Sequence, residues 1–242
     1  MRLRDLSMVT TLMSLTLLTS MAKPSTALLN RSEVADDALR AATRARTTLP
    51  QPPEVLAKDK VLESVYYDMM AILSTTNRCS DYFNGSAAAM AVFNQFVGQA
   101  RKDYFASSIA MRMQGTTTNG ADARTNARYR LFNKVLINTN GAFYKNSHFN
   151  SEQRIPGVGS FRPNTREVRV LILLHELGHL MQGADGKWLL PDDGGNESLS
   201  RSNSYKIEQV CAEQINGLSN GEVLKNLAMS EPTDDGLAAV KE

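Results

Sequence analysis

Residues 170–183 read Val170-Leu171-Ile172-Leu173-Leu174-His175-Glu176-Leu177-Gly178-His179-Leu180-Met181-Gln182-Gly183, and this stretch decides the fold. Its apolar residues predict a helix buried on most of its circumference. His175 and His179 stand four positions apart, one helical turn above each other, so both imidazoles can bind a single metal ion. Glu176 is then placed beside the open position of that metal, where a water would sit. The flanking Ile172-Leu173-Leu174 and Leu180-Met181 carry no charge, as a helix buried beside a metal requires. Asn164 is positioned to cap the helix, with Glu167 three residues on completing a capping box, and Gly183 to end it. The chain has only three histidines, and two of them are in this motif.

The H-E-x-x-H helix resembles that of the zincin metallopeptidases, over about a dozen residues around the motif. The resemblance implies an α+β fold, mostly helical, with a small antiparallel sheet packed near the motif helix. It implies a Zn2+ cofactor held by His175 and His179, with Glu176 as general base for the metal-activated water. The implied function is a metalloendopeptidase acting on a peptide or protein substrate, whose extended backbone pairs with an edge strand of the sheet. Activity is then expected to fall in mild acid, as the two imidazoles protonate. The alternative is a catalytically inactive zincin-like chain that binds metal or serves as an interaction protein.

Two such histidines need a third ligand, and several acids compete for the place. In one zincin subgroup the pattern runs H-E-x-x-H-x-x-G-x-x-H, or ends in Asp. Asp185 falls on that last position, but Gln182 stands where the Gly belongs. In another subgroup a Glu on a later helix completes the site within an N-E-x-x-x-D type motif. Asn196-Glu197 begins that way, but Arg201 stands where the acid belongs. Glu208 lies at the edge of the apolar face of a helix expected over about 204–217, formed by Ile207, Val210, Cys211, Gln214 and Leu218. The loop Pro191-Asp192-Asp193-Gly194-Gly195 is favoured. Trp188-Leu189-Leu190 could pin it to the core, and its glycines permit close backbone approach to a site. Asp193 is therefore the assigned ligand, with Asp185, Glu208, Glu197 and Asp192 left open. His148, Tyr144 and Tyr205 are further residues that could stabilise an oxyanion, and His148 could instead bind the metal from outside the usual order.

Outward from the motif, apolar spacing predicts helices over about 58–75 (Val61, Val65, Met69, Ile72, Leu73) and 86–101 (Ala89, Phe93, Phe96, Val97). A turn at Asn84-Gly85-Ser86 separates them. Residues 114–127 are expected to form a polar loop. Lys134-Val135-Leu136-Ile137-Asn138 reads as a strand, with Asn140-Gly141 turning it back through Ala142-Phe143-Tyr144, and a short strand is expected over Val158 to Phe161.

The N-terminus has the form of a signal peptide over 1–22. A basic Met1-Arg2-Leu3-Arg4 precedes an apolar run, and small-residue cleavage sites follow at Ala22 or Ala27. Residues 23–58 are expected to be a linker or pro-segment, 59–220 the metal-binding domain, and 221–242 a flexible tail. Export places Cys79 and Cys211, the chain's two cysteines, in an oxidising compartment, where they are expected to pair. The net charge of +2, with no basic run, argues against a nucleic-acid partner. The apolar leader is too short and too rich in hydroxyls for stable membrane insertion.

Overall fold

The computed structural model describes residues 47–220 apart from 125 and 148–153, together with the single positions 40 and 43. These belong to one compact unit, Asp37–Glu242. The expected signal peptide, the tail over 221–242 and His148 lie outside the described residues.

From Glu54 onward the described helices are α1 (Glu54–Ala57), α2 (Lys60–Ser74), α3 (Arg78–Tyr82) and α4 (Ser86–Gly98). Three strands follow, β1 (Ala100–Asp103), β2 (Met111–Ala121) and β3 (Arg128–Asn138), and then the long helices α5 (Arg166–Leu180) and α6 (Glu197–Asn220). The helix α2 begins where Asp59 accepts from the amides of Val61 and Leu62, and its stretch from Met69 to Leu73 is completely buried. A tight turn in which Asn84 (φ 64°) and Gly85 (φ 88°) both adopt the left-handed region leads into α4. One continuous apolar core joins these helices to α5, α6 and the inner face of β3 through Val135 and Ile137. Leu49 and Leu56 belong to the same core, and the hydroxyls of Tyr66 and Tyr67 bond Gln51. The described part of the lead-in is therefore packed on the domain.

The sheet is mixed, a correction to the antiparallel one expected. Its order is β1-β3-β2, with β1 parallel and β2 antiparallel to β3. The expected return strand after Asn140-Gly141 does not form. There, the side chain of Asn138 closes a loop, accepting from the amides of Phe105 and Asn140 and donating to the carbonyls of Ser107 and Ile109. The antiparallel partner of β3 is β2, which occupies much of the expected polar loop. As an edge strand it leaves Thr116–Asn119 exposed, so no apolar alternation marks it. Its register shifts between Gln114 and Thr117, where Gly115 has φ 88°. The expected strand over Val158 to Phe161 is a single bridge across a turn with Gly159 at φ 59°.

The expected disulfide is present. Cys79 on α3 is bonded to Cys211 on α6 across a separation of 132 residues. Closing so long a loop stabilises the fold by up to ~4–5 kcal/mol in the chain-entropy model. A half-buried ion pair adds a second tie, because the Arg166 guanidinium bonds Asp68 and also donates to the carbonyl of Leu218 near the end of α6. Among the described residues no helix is long and apolar enough to cross a membrane.

Candidate metal centre

The motif helix α5 is buried along most of its length. Every residue from Val170 to Met181 is buried except Glu176, which keeps partial access to solvent. Its ends differ from the sequence expectation. Thr165 is the N-cap, accepting from the amide of Val168, because Asn164 adopts φ 60° and turns the chain one residue earlier. Glu167 bonds Ser219 instead of completing a capping box. The helix stops when Met181 becomes extended (φ −112°, ψ 143°) and bridges Tyr129, so Gly183 has no part in ending it.

Beyond Met181 the chain doubles back in a small hairpin, in which the amides of Gly183 and Leu189 donate to the carbonyls of Lys187 and Met181. Leu190 then drops onto α5 at Gly178, and its amide bonds the Gly178 carbonyl at 3.0 Å. A Cβ at Gly178 would lie 2.7 Å from both Cγ and Cδ1 of Leu190. The motif therefore carries glycine at this position because the next segment packs directly against the helix backbone. Gly178→Ala is expected to destabilise the fold by ~1–3 kcal/mol through overpacking and to weaken metal binding by displacing the loop that follows. Thermal melting and zinc titration of that variant check both effects, and an unchanged melting temperature would contradict the packing argument.

That loop delivers Asp193 to the two histidines. Nε2 of His175 lies 3.0 Å from Nε2 of His179. The Oδ2 of Asp193 lies 3.3 Å from the former and 3.7 Å from the latter. An ion with tetrahedral bonds of about 2.0–2.1 Å holds its ligand atoms ~3.3–3.4 Å apart. The three separations bracket that value, so the donor set, two imidazoles and a carboxylate, fits zinc in kind and in spacing. His175, His179 and Asp193 form a group that could hold a metal ion.

The helix that follows also holds the ring of His175. The Ser204 hydroxyl donates to the carbonyl of Ser200, and its oxygen lies 2.9 Å from Nδ1 of His175. Nε2 of the same ring faces His179 and Asp193. Nδ1 of His179, in contrast, is buried without a partner.

Burial and charge together shift three of these groups. Burial disfavours ionised Asp193, but hydrogen bonds from His175, His179 and Ser200 outweigh it and hold its carboxyl far below the usual range. Burial pulls His179 down, yet the Asp193 bond and the charge of Glu176 outweigh it and raise the imidazole pKa. Glu176 moves the other way for a carboxyl. Desolvation raises its pKa, aided by Asp193 and Asp192 and opposed by the two histidines.

The other acids open in the sequence lie elsewhere. Glu208 accepts from the amide and hydroxyl of Ser160. Asp185 is exposed and accepts from the amide of Lys187. Glu197 is exposed at the start of α6. Asp192 points to solvent, with its nearest cation Arg130 at 3.7 Å. Tyr144 is committed to Asp59, with its phenol pKa pushed up by burial and that carboxylate, and Tyr205 is exposed. The two glycines after Asp193 serve conformation and not close approach: Gly194 (φ 53°) and Gly195 (φ 85°) have open space around them.

No family model, curated protein or solved structure matches this chain. The chemistry of the site therefore rests on its own geometry. Sequence reasoning missed Ser204, Ser200 and Arg130. Each is held against the site by the packing of α6 or β3, which leaves no local mark on the sequence.

Proposed function

We propose that this protein is a secreted zinc-dependent metallopeptidase in which His175, His179 and Asp193 hold the metal and Glu176 is the general base. The observation that carries this reading is the convergence of three ligand atoms at the spacing of a tetrahedral ion, beside the only residue from Val170 to Met181 that is not buried. His175, His179 and Asp193 would hold the ion, which would supply Lewis acidity for activating water and polarising a peptide carbonyl. The Ser204 hydroxyl, 2.9 Å from Nδ1 of His175, would hold that ring with Nε2 toward the ion. The carboxylate of Glu176 takes a proton from the attacking water and hands it to the leaving amine. Its side chain keeps partial access to solvent, as a group that meets substrate requires. The Cys79–Cys211 disulfide supports an oxidising compartment.

Hydrolysis of an unfolded protein by the purified chain is the test. Cleavage is expected with zinc, is expected to stop when a chelator removes it, and should return on resupply. Zinc binding without cleavage of any unfolded protein would overturn the peptidase reading and leave a metal-binding protein.

A further inference from the structure

We propose that Arg130 is a positioning residue that sets the zinc affinity of this site without touching the ion, by clamping the ligand loop to the end of the motif helix. The inference rests on the metal reading above. Arg130 projects from β3 and its side chain is only 15% exposed. It meets both halves of the site. Its Nε donates to the main-chain carbonyl of His179 at 2.8 Å, fixing the backbone of one ligand. Its guanidinium lies 4.3 Å above the ring of Trp188, at the start of the segment that carries Asp193. Its Nη2 is buried with no hydrogen-bond partner and stands 3.7 Å from Asp192, the residue next to the ligand.

The two histidines differ in a way that makes this clamp matter. Ser204 fixes the ring of His175, whereas the ring of His179 has no partner at Nδ1. Placement of His179 thus depends on its backbone, which Arg130 holds, and on Asp193, whose loop Arg130 also holds. A buried guanidinium lacking a full set of partners is costly to maintain. Arg can serve all three contacts because its planar fork donates in the plane while its face stacks on an aromatic ring. Lys would keep the charge and lose that geometry.

The test measures zinc affinity by competition with a chromophoric chelator, on folded chain. Trp188 is the only tryptophan, so its fluorescence reports the loop during the same titration. Arg130→Gln and Arg130→Lys are each expected to bind zinc about tenfold more weakly, at the low end for residues that orient ligands, with a shifted Trp188 spectrum. Asp192→Asn, on an exposed side chain, is expected to weaken binding about threefold and to add nothing in the Arg130→Gln background. A structural role alone would lower the melting temperature and leave the affinity of the folded chain unchanged. Folded Arg130 variants that bind zinc like the wild type would overturn the proposal. If both Arg130 variants fail to fold, Asp192→Asn decides, and an unchanged affinity there overturns it. A wild-type chain that binds no zinc would instead sink the metal reading itself.

Discussion

His179→Ala is expected to empty the metal centre. Elemental analysis of the purified wild-type chain should find about one zinc per molecule and, in the variant, less than a tenth of that. The magnitude follows from the geometry. Removing one of three ligands leaves an imidazole and a carboxylate 3.3 Å apart, a pair that water and buffer readily outcompete. The variant should remain folded, because the imidazole has no partner at Nδ1 and its loss orphans no hydrogen bond there. The missing buried ring still costs ~1–3 kcal/mol in packing. A circular dichroism spectrum like that of the wild type separates ligand loss from unfolding. Zinc retained in full by the folded variant would remove His179 from the site, and with it the arrangement deduced above.

Glu176→Gln should do the opposite, keeping the metal and losing the chemistry. Glutamine matches glutamate in shape, and the position is partly open to solvent, so neither fold nor ligand geometry should change. What disappears is a carboxylate able to take and return a proton. General-base catalysis of this kind is worth ~10²–10⁴-fold in rate. Zinc content equal to wild type together with a fall in peptide hydrolysis of that size is the expected pair of results. Cleavage at the wild-type rate would show that another group moves the proton.

The parts of this molecule that were legible in its sequence are those with short-range signatures. The apolar run through Leu174 and Leu180 announced a buried helix, and the four-residue step from His175 to His179 announced two donors on one face. Asp193 could be favoured because Trp188-Leu189-Leu190 stood ready to pin its loop, and Leu190 is completely buried against Gly178. What stayed hidden depends on contacts between distant segments. β2 reads as loop because Thr116–Asn119 are exposed on both faces, so no apolar alternation marks them, and its glycines mimic a turn. Asn140-Gly141 looks like a hairpin, but its neighbour Asn138 spends its side chain closing a loop. The N-cap moved from Asn164 to Thr165 because asparagine tolerates a left-handed backbone, a choice that composition does not reveal. The serine that orients His175 looks like any other in a polar helix, and only the docking of α6 distinguishes it.

The notch where Leu190 meets Gly178 has a consequence for the order in which the protein assembles. All three donor atoms and the orienting serine come from the single segment between His175 and Ser204, two helices and the turn that joins them. Contacts so close along the chain cost little loop entropy and form early relative to distant pairings. The Cys79–Cys211 bond and the Asp68–Arg166 pair, by contrast, join positions far apart, so they are suited to securing a centre that its own neighbourhood has already shaped.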